Sequence, residues 1–332
     1  MTTSQELTEL FEKFKTLKVL IIGDVMLDHY LIGSVKRISP EAPVPIVEIT
    51  SKLSKLGGAA NVALNVKSLG ATPLLFSVIG NDEKGKNFLN KLEQRNINKQ
   101  GILTDDNRPT TVKNRVISNN QQLLRYDEET IEKLTKTKEQ SLIDSIVRCI
   151  ENQSPSVIIF EDYDKGIISN NLITQIVKTA QKKDIPTVVD PKKDNFNFYK
   201  NVTLFKPNLR ELEEGLNIKI DKNTPNEIKN AVDELRNLLD FKKALITLSE
   251  NGVLFDDETE SFQVAAHLRN ISDVSGAGDT VVSVAALCLA ANASSKLIAE
   301  ISNVAGGLVC EKSGVVPIEL MELEKECQKL LC

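Results

Sequence analysis

Residues 272–280 read Ser-Asp-Val-Ser-Gly-Ala-Gly-Asp-Thr and run into an apolar stretch, 281–291. Gly276 and Gly278 bracket Ala277, so the backbone can turn sharply there and expose its N–H groups. The stretch behind them is apolar nearly all round, as in a buried helix. Peptide N–H groups at a helix start, with the positive end of the dipole, make a site for an anion. Asp279 stands in the first turn of that helix. A carboxylate beside an anion hole is suited to taking a proton from a hydroxyl as it attacks a phosphoryl group. A plain turn, with Asp279 complementing the helix dipole, is the alternative this stretch alone leaves open. A dinucleotide fingerprint fails on context, because Val281 takes the third glycine's place and no acid follows about 20 residues on. A P-loop is excluded by the absence of its Gly-Lys-Ser/Thr pattern.

Other polar residues stand where a ligand could meet them. Asp24 closes an apolar run, 17–22, at what reads as the carboxyl end of a buried strand, and Asp28 follows four residues later. Gly57 and Gly58 open a helix and allow close backbone approach. Asn61, in its first turn, can both donate to and accept from a sugar hydroxyl. Lys113 and Arg115 share one face of a strand. That strand belongs to a hairpin around Asn119-Asn120. A two-residue loop puts Arg125 on the opposite face and a three-residue loop brings it to theirs, so the register stays open. Asp190 and Lys192 follow another strand. Asn208 and Glu211, three apart, share a helix face and suit water-mediated Mg2+, yet Asn followed by Glu at that spacing is also a helix-capping device.

The elements that must place these residues alternate. From residue 141 onward the order is helix, strand, helix, strand, with strands at 156–160, 186–189, 202–206 and 243–248. Such alternation implies an α/β fold with a doubly wound, mainly parallel sheet and helices on both faces. Asp24, Asp162 and Asp190 recur at strand ends. Residues 31–50 differ: Pro40, Pro43 and Pro45 exclude helix and suggest extended chain in a small β lid, with 101–126 as its second segment.

Composition narrows the classes. The chain has 332 residues, 41 basic against 46 acidic, for a net charge of −5, which argues against nucleic acid as a partner. Five cysteines without a C-x-x-C pair read as free thiols in a reducing cytosol rather than a zinc site. No apolar run reaches membrane-spanning length, and residues 5–15 read as an amphipathic helix, not a signal peptide.

Three stretches in order resemble the ribokinase (PfkB-type) sugar kinases: Gly57-Gly58-Ala59-Ala60-Asn61, Asn208-Leu209-Arg210-Glu211 and Asp273-Val274-Ser275-Gly276-Ala277-Gly278-Asp279. The resemblance runs from about Lys18 to Pro317, and it implies a single ribokinase-like domain over 1–332. Gly23-Asp24-Val25-Met26-Leu27-Asp28, residues 37–45, Asn120-Gln121-Gln122 and residues 162–166 are similar to the heptose-7-phosphate kinases of that family. The resemblance implies ATP-dependent phosphorylation of the anomeric hydroxyl of a heptose 7-phosphate, a step in ADP-heptose and lipopolysaccharide precursor synthesis.

It further implies site roles. Asp279 is the base, with the Gly276, Ala277 and Gly278 N–H groups on the γ-phosphoryl. Asp24, Asp28, Gly57, Gly58 and Asn61 hold the sugar, and Lys113, Arg115 or Arg125 its phosphate. Asn208 and Glu211 order Mg2+. Asp190, Lys192, Ser249, Gly252 and Asn303 lie on the nucleotide side, and K+ near Asp273 and Ser275. A cytoplasmic homodimer paired through the lid is implied as well. Many members carry a fused nucleotidyltransferase, so this chain looks like the kinase half, with a separate transferase acting downstream. His29 stands where an arginine is usual and is read as removing a fixed charge from the lid side of the sugar site. Another sugar or sugar-phosphate kinase, or a non-catalytic relative, is the alternative reading.

Overall fold

The computed structural model describes residues 3–119, 121–221 and 224–332. Its strands are, in chain order, Lys18–Gly23 (β1), Val25–Ile38 (β2), Pro45–Gly58 (β3), Thr72–Gly80 (β4), Ile102–Asp105 (β5), Val112–Ser118 (β6), Gln121–Glu128 (β7), Val157–Glu161 (β8), Thr187–Asp190 (β9), Leu204–Phe205 (β10), Lys243–Thr247 (β11), Val253–Asp257 (β12) and Ser261–Val264 (β13). Nine of them form one sheet in the order β13-β12-β11-β10-β9-β8-β1-β4-β5, and four form a second in the order β3-β2-β6-β7. The large sheet is parallel from β11 across to β5, with β12 and β13 added antiparallel at one edge.

Alternate residues of β1 explain why its sequence is apolar without interruption. Val19 and Ile21 point into one core, with the helices Ser4–Phe14, Ala59–Ser68, Ala277–Ala290 and Ser295–Cys310. Leu20 and Ile22 point into the other, with Lys136–Gln153, Asn170–Gln181 and Pro225–Leu239. Both faces are covered, as a parallel sheet requires. The chain leaves β1 toward β4 on one side and returns to β8 on the other, so strand order reverses there. The crevice beyond the carboxyl ends at such a reversal is where ligands bind in open α/β sheets.

The lid is the second sheet, with one boundary different from expectation. Residues 31–50 lie in β2, β3 and their connection, as expected. Ile102–Asp105, expected in the lid, instead pairs in parallel with β4 as the edge of the large sheet, and the second lid segment begins at β6. A four-residue strand gives too short a pattern to assign to either sheet. Within the lid hairpin, Ser118 pairs with Gln121, so the turn is a two-residue one; Asn120 lies outside the described residues. A bulge then inserts one residue between Leu124 and Gln122, and Arg115 pairs with Arg125. The bulge does what a third loop residue would have done and brings Arg125 onto the face of Lys113 and Arg115.

Asp24 anchors the crevice itself. Its Oδ2 accepts the Tyr163 N–H at 2.8 Å and the Lys165 N–H at 3.2 Å, and its Oδ1 accepts the Ile167 N–H at 3.3 Å. It is 1% exposed. The expected role of Asp24 as a sugar ligand is therefore corrected: its carboxylate organises the loop after β8. Removing it leaves these N–H groups unpaired in the interior, where each orphan costs about 1–3 kcal/mol. Asp24→Ala is expected to lower unfolding free energy by about 3 kcal/mol or more, read by urea denaturation; a loss under about 1 kcal/mol would mean the loop does not depend on it.

Candidate active site

The helix Ala277–Ala290 is buried along most of its length, which fixes its first turn against the end of the sheet. Gly276 caps it at φ +82°, and a Cβ there would stand 3.0 Å from Asn61 Nδ2. That left-handed turn is cheap only for glycine. Asp279, 5% exposed, receives two hydrogen bonds: Asn61 Nδ2 donates to Oδ2 at 2.7 Å and the Tyr163 hydroxyl to Oδ1 at 2.9 Å. Burial pushes its pKa up, and the Asn61 and Tyr163 bonds pull against that. Asn61 Oδ1 is buried and makes no hydrogen bond. One free acceptor beside a carboxylate is what an incoming hydroxyl needs. Of the three amides expected to face a phosphoryl group, the Ala277 N–H already donates to the Val274 carbonyl at 3.2 Å. Closing the turn occupies it, so that role is corrected to Gly276 and Gly278.

Behind the helix start lies a cluster of acids and lysines from three strand ends. A Cβ on Gly278 would meet Asp190 Oδ2 at 3.5 Å and Lys206 Nζ at 3.9 Å. Lys206, with a side chain only 2% exposed, pairs with Asp190 Oδ2 at 2.9 Å. Lys192 pairs with Glu211. Burial would lower the Lys192 pKa, but Asp190 and Glu211 outweigh it and keep the ammonium charged. Asn208 and Glu211 form a complete capping box: the Glu211 N–H donates to Asn208 Oδ1 at 2.9 Å and the Asn208 N–H to Glu211 Oε2 at 2.8 Å. Glu161 Oε2 and Asp190 Oδ1 are buried without a hydrogen bond. Burial, Asp190 and Asp279 raise the Glu161 pKa well above the ordinary carboxyl range.

The lid closes the other side. Asp28 and Arg115 form a buried ion pair. Asp28 fits because Gly57 has no Cβ, which would stand 2.2 Å from Asp28 Oδ2. Gly58, at φ +59°, turns β3 into its helix. Arg125 pairs with Asp127 at 2.6 Å and Lys165 with Glu129 at 2.7 Å. Lys113 has no ion pair within 4.0 Å among the described residues, and its ammonium lies 5.1 Å from the centroid of the Tyr163 ring. Burial, then neighbouring Arg125, lowers its pKa. His29 points to the opposite face of β2 from Asp28, with Nδ1 3.2 Å from Asn114 Oδ1. The loss of charge expected from His29 thus falls outside the cleft, because neighbours on a strand face opposite ways.

The remaining expected residues form a second group. Asn303 Nδ2 donates to the Ala265 carbonyl at 2.8 Å. Gly252, at φ +85°, lies against Val264, and Ser249 is exposed at φ +53°. They shape residues 249–266 rather than touch Asp279. Asp273 Oδ1 accepts the Ser275 N–H at 2.9 Å and Oδ2 the Gly314 N–H at 3.0 Å, tying the glycine turn to residues 313–315. Sequence reasoning gave no role to Tyr163, Lys206 or Glu161. Their signal was positional: each ends or follows a core strand beside an acid.

Comparisons fit this geometry. A sequence profile of the pfkB family carbohydrate kinases matches residues 16–320. The bifunctional protein HldE of Desulfatibacillum aliphaticivorans is 39% identical over 318 residues, 95% of this chain and 64% of that protein. The HldE of Helicobacter pylori strain G27 is 38% identical over 306 residues, 92% of this chain and 65% of its own. The chain thus spans under two thirds of the length of these relatives. Among solved structures, phosphofructokinase-2 from Escherichia coli in complex with fructose-6-phosphate superposes with a TM-score of 0.77 at 21% identity, over 95% of this chain and 100% of that one. Arabidopsis thaliana ribokinase complexed with ribose and ATP gives 0.72 at 17%, over 93% and 98%. At such identities the likeness concerns the fold. The profile match covers nearly the whole sequence, and by it the chain belongs to the pfkB family of carbohydrate kinases.

Proposed function

We propose that this protein transfers the γ-phosphoryl group of ATP to the anomeric hydroxyl of D-glycero-D-manno-heptose 7-phosphate, giving the 1,7-bisphosphate for ADP-heptose synthesis. The observation that carries the reading is Asp279, buried at a helix start, held by two donors and facing an unpaired acceptor on Asn61. The likeness to relatives named HldE supports the choice of sugar.

Asp279 takes the hydroxyl proton as the oxygen bonds to phosphorus and the bond to the leaving ADP oxygen breaks. A loose transition state delays that proton transfer, so a moderately basic carboxylate suffices. The Gly276 and Gly278 N–H groups, at the positive end of the helix, stabilise the charge that spreads over the moving phosphoryl group. Asn61 Oδ1 accepts from a sugar hydroxyl and Asp28 holds another. Lys113 meets the 7-phosphate, with Arg125 re-pairing from Asp127.

Mg2+ fits the acid cluster by its chemistry: hard oxygen donors, with Asp190 Oδ1 and Glu161 Oε2 buried and unpaired. Among the described residues no three acids, histidines or cysteines converge as direct ligands, so Asn208 and Glu211 would order the ion through its waters. When bound, Mg2+ would neutralise phosphate charge. Lys192 and Asp190 would lie along the phosphates, and Ser249, Gly252 and Asn303 beside the base. K+ would bind near Asp273 and Ser275 and tighten the glycine turn. The exposed lid side chains Ile38, Leu53, Leu124 and Tyr126 support a homodimer paired through the lid. We place the protein in the cytoplasm, with a separate nucleotidyltransferase acting later.

With ATP, Mg2+ and a panel of sugars scored by product mass, a second phosphate is expected on heptose 7-phosphate; turnover on unphosphorylated pentoses alone would overturn the assignment. Asp279→Asn is expected to cut kcat by about 10²–10⁴-fold with KM little changed, in a coupled ADP-release assay, and equal rates for variant and wild type would remove the base. Lys113→Gln is expected to raise KM for the phosphosugar about tenfold or more, the loss of one charge-assisted contact. It should leave KM for ATP unchanged; an unchanged sugar KM would move the phosphate elsewhere.

A further inference from the structure

Tyr163 follows β8 in a loop fixed by Asp24. Its side chain touches both halves of the cleft. The hydroxyl donates to Asp279 Oδ1 at 2.9 Å. The ring carries Lys113 of the lid at 5.1 Å from its centroid and Lys192 of the acid cluster at 5.6 Å. No other described residue in the site bonds to the base and also contacts a lid cation. Asn61 holds the second oxygen of Asp279 from the opposite element. Two donors from two elements fix the plane of a carboxylate, where one would let it rotate.

We propose that Tyr163 is a positioning residue for phosphoryl transfer, orienting Asp279 through its hydroxyl and seating the lid's Lys113 on its ring. The proposal rests on the kinase reading given above. Tyr163 keeps its own proton throughout; the sugar proton goes to Asp279, whose oxygens each retain a free lone pair. Because Tyr163 donates to the ionised form of Asp279, it also holds that carboxyl's pKa down against burial. The other charged groups facing Asp279 are Asp190 and Glu161, which oppose ionisation, and Lys206, which favours it. Lys113 and Lys192 act on Tyr163 itself.

The test compares wild type with Tyr163→Phe, which removes one oxygen, and Tyr163→Leu, which removes the ring. Activity rises with pH as Asp279 ionises, so losing a donor moves the acid limb of the kcat profile to higher pH. Tyr163→Phe is expected to shift that limb up by about one unit and lower kcat about tenfold, with KM for both substrates within about twofold. Tyr163→Leu should in addition raise KM for the phosphosugar. The Asp279 carboxyl, observed by 13C NMR and assigned by its loss in Asp279→Asn, should titrate higher in Tyr163→Phe. That measurement needs no turnover, so it separates failure of this proposal from failure of the kinase reading. If Tyr163→Phe does not fold, 3-fluorotyrosine placed at 163 is the second variant; its more acidic phenol is a stronger donor and should move the limb down. An unmoved limb and an unmoved Asp279 titration would overturn the proposal.

Discussion

Buried carboxylates crowd one end of the sheet, and the rest of the structure depends on keeping them compatible. Asp24, Glu161, Asp162, Asp190 and Asp279 are all buried. They come from the ends of β1, β8 and β9 and from one helix start. An unpaired charge in such a place shifts its pKa and neutralises. Each acid is handled differently. Backbone N–H groups hold Asp24, the Tyr199 hydroxyl at 2.6 Å and Asn195 at 3.0 Å hold Asp162, and Lys206 holds Asp190. Glu161 lacks such a partner on one oxygen, and its pKa rises furthest out of the carboxyl range. Asp24, beside Asp162, is pushed up to about 7 by burial first and its neighbour second. The acid that must stay ionised for chemistry, Asp279, is the one given two side-chain donors.

The loop after β8 converts this electrostatic arrangement into geometry. Asp24 fixes its backbone, the fixed backbone places Tyr163, and Tyr163 reaches both the base and the lid. A lid that closes over a cleft excludes water, which would otherwise accept the phosphoryl group. Lid position and base orientation therefore share one side chain. Gly57 belongs to the same arrangement, since its missing Cβ lets Asp28 lie against the strand-to-helix turn that also presents Asn61.

Much of this was legible in the sequence because the signals were local. The parallel sheet followed from uninterrupted apolar runs such as 17–22, and the buried helix after Asp279 from its apolar faces. Asn61 and the glycine turn could be read because a helix start fixes which groups it exposes. Long-range facts were not legible. Whether Arg125 joins Arg115 depended on a bulge around Leu123, which no residue type announces. Asp24 and Asp28 looked alike as acids near a strand end; only the fold decides that one meets three N–H groups and the other a guanidinium. Asn208 and Glu211 carried two readings, and the capping box is formed while the Lys192 contact leaves the second open. Tyr163 went unassigned because its partners are more than 100 positions away in the chain.

The lid's charges can be ranked by what it costs to rearrange them. Arg115 and Asp28, with side chains 15% and 5% exposed, form a pair whose disruption leaves a buried charge, at about 3–5 kcal/mol. Arg125 is 45% exposed on Asp127, and an exposed pair of that kind is worth about 1 kcal/mol or less. Lys113 has no carboxylate to leave at all, and its lowered pKa shows an ammonium short of compensation. An arriving phosphate dianion is thus drawn first to Lys113, can recruit Arg125 at little cost, and leaves Arg115 in place to hold Asp28. Selection of the sugar then lies in the hairpin's register and pairing, while the transfer chemistry lies in the large sheet. That division is how one α/β framework serves sugars of different length with one base.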